Sequence, residues 1–100
     1  MNNTKWEELR LAMYELGALS PSWRTKDLSG YVSPLDGDWF YHFRVGGYSS
    51  IEWVEIMVTA PEQEAAVESV LRRVHVPGRR FESGFRVYGY ADDDQALEYV

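Results

Sequence analysis

The stretch WFYHFRVGGY, residues 39–48, decides how this chain is read: four aromatic side chains and a histidine fill its first five positions, and a double glycine follows. Read as a strand, residues 39–45 alternate with period two. Trp39, Tyr41, Phe43 and Val45 then point to one side and Phe40, His42 and Arg44 to the other. Residues 51–58 are equally strand-like, and the intervening GGYSS supplies glycines that take the positive φ a hairpin connection needs. The two segments are expected to pair. Val54, Ile56 and Val58 join the inward set, and Ile51, Trp53, Glu55 and Met57 face away.

On the N-terminal side, Thr4 and Glu7 have the spacing of a capping box, in which hydroxyl and carboxylate satisfy backbone N–H groups at a helix start. Trp6, Leu9, Met13 and Leu16 follow as one apolar stripe, with Gly17 as the left-handed residue that ends the helix. Residues 23–31, WRTKDLSGY, alternate as a strand before the turn-forming SPLDGD. On the C-terminal side, Thr59, Pro61 and Glu62 open a second helix that carries Val67, Val70, Leu71 and Val74 on one face, and Pro77–Gly78 halts it. FRVYGYA, residues 85–91, is a further strand, with Phe85 and Val87 inward and Arg86, Tyr88 and Tyr90 outward. Strand 51–58, helix 61–75 and this strand read as a right-handed crossover between parallel strands. The expectation is one α+β domain over residues 1–100, in the order αβββαβ. Its sheet is mixed, of about four strands, with two helices on one face. The acidic ADDDQALEYV at the end reads either as a short helix or as a fraying terminus.

Ten basic against sixteen acidic residues give a net charge of -6, the wrong sign for tracking a phosphate backbone, so nucleic acid is not an expected partner. There is no cysteine, hence neither disulfide framework nor thiolate nucleophile, which fits a reducing compartment. The first residues lack the pattern of a signal sequence, and no apolar run approaches the roughly 20 residues that span a bilayer. Cytoplasmic residence and no membrane association are expected.

Motifs for chemistry are few. Asp36 and Asp38 flank a glycine between strand-like runs and read as turn residues, because an oxygen-ligated ion needs about six donors and no others cluster there. His42 and Glu55 on neighbouring strands resemble a base and its orienting carboxylate, but no Gly-x-Ser-x-Gly elbow or Ser-x-x-Lys pattern supplies a nucleophile. The glycines form no phosphate-binding pattern, so no cofactor is expected. Arg72–Arg73 and Arg79–Arg80 bracket the end of the second helix, and His75 also sits there; positive charge favours the carbonyl end of a helix.

With both helices on one side of the sheet, the other side displays Phe40, His42, Arg44, Trp53, Glu55, Arg86, Tyr88 and Tyr90. Tyrosine, tryptophan and arginine dominate binding energy at protein interfaces. Either this is a docking face, or the N-terminal helix or the 18–38 segment covers it. The segments NNTKWEEL (2–9), WRTKDLSGY (23–31), DGDWFYHF (36–43), IEWVEI (51–56) and VYGY (87–90) together resemble a family of small bacterial proteins of unknown function. The resemblance implies no activity. The leading expectation is a non-enzymatic protein-binding module, of which an immunity-type inhibitor masking a basic toxin is one form, its partner being another protein or a second copy of the chain. The alternative is a small enzyme or anion-binding protein with a pocket around His42, Arg44 and Glu55, to which Arg86 is added.

Overall fold

A computed structural model describes residues 1–90; the expected final helix at 91–100 lies outside the described residues. Helix α1 (Asn3–Tyr14) leads into strand β1 (Ser22–Asp27), a long connection, strand β2 (Ile51–Met57), helix α2 (Pro61–Val74), and strands β3 (Gly78–Phe81) and β4 (Gly84–Tyr88). The chain is α+β with a four-stranded sheet, as expected. Its order is αββαββ, and every neighbouring pair in the sheet order β1-β2-β4-β3 is antiparallel, so the sheet is not mixed.

α1 is capped by the Asn2 side chain, which accepts from the Lys5 N–H at 2.8 Å, and not by a Thr4–Glu7 box. Glu7 is engaged elsewhere. Trp6, Leu9 and Met13 are buried and Leu16 packs at the margin of the core, as the stripe requires. The helix stops at Tyr14, short of Gly17, whose φ of 59° opens a single 3-10 turn. α2 starts on Pro61, buries Val67, Val70, Leu71 and Val74, and ends on His75, itself left-handed at φ 63°.

The reading of residues 39–45 as a strand fails. The segment is a turn followed by a 3-10 turn at His42–Arg44, and β2 pairs with β1 and β4, so the hairpin of 39–45 with 51–58 does not form. Trp39 and Phe43 are both buried, four residues apart, whereas Tyr41 and Val45 are each 58 % exposed: the segment buries residues with helical spacing. Trp39 stacks on Phe43 at 4.7 Å between centroids, and both meet Trp23 of β1, with Trp6 and Tyr48 closing the cluster around Phe43. The Trp39 indole N–H donates to the Pro21 carbonyl at 2.7 Å, and Asp38 accepts from the backbone N–H groups of Phe40 and Tyr41. The turn reading of Asp36 and Asp38 therefore holds.

β3 takes residues that read as a helix-end cluster. Two adjacent arginines lack the alternating apolar signature of a strand, yet Arg79 pairs with Arg86 and Arg80 with Phe85, and Glu82–Ser83 turn the chain back into β4. β2 and β3 run in the same direction, since each is antiparallel to β4, so α2 does join two parallel strands. They are one place apart, with β4 inserted between them, and the expected direct parallel pairing of β2 with the last strand is replaced by an antiparallel one.

The register fixes two faces. Trp23–Ile56–Phe85 and Thr25–Val54–Val87 line the side packed on the helices, with Ile51 also buried where the β1–β2 register shifts. The opposite side carries Arg24–Glu55–Arg86–Arg79 as one cross-strand row and Lys26–Trp53–Tyr88 as the next. The burial pattern at 39–45 yields a direct test by urea denaturation. Phe43→Ala should destabilise by roughly 3 to 5 kcal/mol, whereas Tyr41→Ala should stay within about 0.5 kcal/mol. Equal losses would restore the strand, in which the two side chains share a face.

Candidate functional site

No described element covers the sheet face opposite the helices, because the residues on it are half-buried or exposed apart from Glu55 and Gly84. Glu55 is 2 % exposed in the middle of that face. Its carboxylate accepts from Arg24 Nε at 2.7 Å on one oxygen and from Arg86 Nη2 and Nε at 2.6 and 3.1 Å on the other. A carboxylate removed from water on the central strand would be unstable alone; two guanidinium groups from the flanking strands satisfy it. Burial acts to raise its pKa, and the hydrogen bonds from Arg86 and Arg24 outweigh that, holding the carboxyl below the ordinary glutamate range.

The arginines reach further than this carboxylate. The Arg86 guanidinium lies 4.6 Å from the Trp53 ring centroid, and Arg79 stands 5.9 Å from the Tyr88 ring while its Nε donates to the Tyr88 hydroxyl at 3.0 Å. Lys26 pairs with Glu52 at 3.1 Å. Together with Leu28 and Tyr90, these side chains enclose a shallow depression of about 480 Å³. Among the described residues, four cations, Arg24, Lys26, Arg79 and Arg86, meet two carboxylates, Glu52 and Glu55, leaving two positive charges in excess.

Five of the eight residues expected on this face are at it: Trp53, Glu55, Arg86 and Tyr88 on the strands and Tyr90 at the rim, its hydroxyl bonded to the Ser49 carbonyl at 2.6 Å. Phe40, His42 and Arg44 are not on the sheet. Phe40 packs on Tyr14 of α1 at 5.2 Å, and Arg44 lies over the Phe40 and Tyr41 rings. His42 Nδ1 meets Asp36 at 2.8 Å and not Glu55, so the pocket expected around His42, Arg44 and Glu55 does not assemble. Arg24, Lys26 and Arg79 went unrecognised. The alternation of Trp23 and Thr25 with Arg24 and Lys26 held the signal for the first two; Arg79 had none, because β3 read as the end of a helix.

A second polar cluster lies at α1. Arg10 is 4 % exposed, holds Glu7 through Nε and Nη2 at 3.3 and 2.8 Å, and donates through Nη1 to the carbonyls of Trp39 and Phe40 at 3.3 and 2.7 Å. The Tyr48 hydroxyl donates to the same Glu7 carboxylate. The Arg10 bond, then the Tyr48 bond, hold the Glu7 carboxyl below its ordinary range. Every donor is directed at the 39–48 segment or at Glu7, so the cluster clamps that segment to the helix.

Among the described residues no group of His, Asp and Glu could hold a metal ion, and no helix is long and apolar enough to cross a membrane. A family model matches residues 1–94. The chain belongs to DUF6678, a family of unknown function. No curated protein and no solved structure matches this DUF6678 chain. The family attaches no chemistry to either cluster.

Burial, followed by the hydrogen bond to Glu7, pushes the Tyr48 phenol up from 10.0 to about 12. A phenol whose folded pKa is raised contributes stability that is complete below pH 10.0 and is lost as pH rises toward about 12. Alkaline urea titrations should show this loss in the wild type and a smaller one in Tyr48→Phe. Absorbance titration should find one tyrosine ionising late in the wild type; if Tyr48→Phe retains the late-ionising phenol, the assignment to Tyr48 is wrong.

Proposed function

We propose that the chain is a non-enzymatic protein-binding module that docks its partner on the open sheet face. One observation carries this reading: a half-buried tryptophan and tyrosine with three arginines lie on a face that no described element covers. These residue types supply large contact area with a polar tip and concentrate binding energy at interfaces. The face is also rigid before any encounter, because four strands and the Glu55 ion pairs hold its side chains, which lowers the ordering cost of association. The connection at β1 adds exposed Leu28, Tyr31 and Leu35 beside it, anchored to the strand by the Trp23–Asp36 and Lys26–Val32 bridges.

An immunity-type inhibitor that masks a toxin is the finer form of this reading. It fits the size of the chain, and the absence of cysteine suits residence in the cytoplasm. His42 and Glu55 belong to separate networks, so their pairing lends no support to the enzyme alternative.

Site-specific photo-cross-linking tests the proposal. With p-benzoylphenylalanine placed at Tyr88, irradiation in native cells should yield a discrete adduct to one protein, identifiable by mass spectrometry and able to bind again when purified. The adduct should vanish with Trp53→Ala while cooperative thermal unfolding persists. Adducts formed only from the same photoprobe at Tyr14, on α1, would move the interface to the helical side and refute the open-face assignment.

A further inference from the structure

Resting on the reading of the open face as a docking surface, we infer that this face receives an acidic polypeptide segment of the partner, with Arg79 and Arg24 as its carboxylate receptors. The chain as a whole carries a net charge of -6, yet the described residues of its open face have two positive charges in excess. This reverses the partner expected from composition: an acidic chain suggests a basic toxin, whereas the cationic face suits an acidic surface.

The arginines are unequally committed. Arg86 gives two nitrogens to Glu55. Arg24 gives only Nε, with its side chain 41 % exposed, so neither terminal nitrogen is spent on the internal pair. Arg79 is exposed and has no carboxylate among the described residues; its bond goes to a phenol. The row from Arg24 to Arg79 crosses three strand intervals, roughly 14 Å at about 4.8 Å each. In an extended chain carboxylates at i and i+4 lie about 13 to 14 Å apart, so one acidic strand laid across the sheet reaches both ends of the row.

Other occupants fit less well. A second copy docking face to face would set these arginines against their own images, like charge on like. A single-stranded nucleic acid would meet the overall negative charge, two carboxylates on the face, and rings whose faces already carry guanidinium groups.

Trp53 is half-buried while Trp6, Trp23 and Trp39 are buried, so intrinsic fluorescence reports from this face. Titration with hexaglutamate should change that fluorescence saturably, with an affinity that falls as salt rises. Arg79→Glu should weaken it by about tenfold, the equivalent of about 1.4 kcal/mol, with far-ultraviolet circular dichroism unchanged, and Arg24→Gln, which sets no second carboxylate beside Glu55, should weaken it in the same direction. No binding of hexaglutamate, equal or tighter binding of hexalysine or oligothymidylate, or indifference to both substitutions overturns the inference. The cross-link at Tyr88 separates the two ideas. If it forms and survives Arg79→Glu, a docking face exists and its acidic partner does not; if it never forms, the docking reading itself fails, whatever hexaglutamate does.

Discussion

The ion pairs of Glu55 organise the open face. A glutamate at the centre of a four-stranded sheet, on the side away from the helices, is an improbable place for a charge to lose its water. It is stable there because Arg24 and Arg86 arrive from the strands on either side, at the same cross-strand level, and occupy both oxygens. Their geometry then propagates. Arg86 held by Glu55 lies over the Trp53 ring, while Arg79 beyond it is left with a phenol for a partner. One buried negative charge thus sets the positions of two positive ones, and Tyr88 holds the third. An apolar residue at position 55 could pack as well, as replacements of buried ion pairs by hydrophobic residues often do, but it would release the arginines it now aligns.

The helical side rests on different physics. Trp23, Trp39 and Phe43 form a close aromatic cluster whose pieces come from β1 and from the 39–48 segment, and Arg10 clamps that segment to α1 through backbone carbonyls. A long connection with neither strand nor α-helix is thereby fastened by three buried rings, Trp39, Phe43 and Tyr48, and one buried cation. This rigidity lets the segment protect the outer edge of β1, where the residues at 32 and 36 form single bridges. The two clusters meet at β1, whose Trp23 enters the core and whose Arg24 turns to the open face.

Much of this was legible from sequence where one period dominates. The apolar faces of both helices, the inward Val54, Ile56, Phe85 and Val87, and the turn roles of Asp36 and Asp38 follow from spacing alone. Residues 39–45 misled because dense aromatics satisfy both periodicities: Trp39 and Phe43 lie two pleats apart on a strand and one turn apart on a helix, and only the exposure of Tyr41 and Val45 separates these. β3 was hidden for the opposite reason. It is a four-residue edge strand with two arginines, one paired with Glu64 and Glu68 of α2 and one turned to the open face, so tertiary position and not local pattern makes it a strand. Of the open face, the residues on the two central strands were readable. Those on the edge strands depended on a register that the misplaced hairpin had displaced.

The account stands most directly on the ionisation of Glu55. Carbon-detected nuclear magnetic resonance of the side-chain carboxyls, followed through an acid titration, should find Glu55 ionising below the ordinary glutamate value of 4.5. With either Arg24 or Arg86 removed, its pKa should move upward. A Glu55 carboxyl that titrates at or above that value in the wild type, indifferent to both arginines, would mean that burial governs it alone and that the aligned cationic row does not exist in solution.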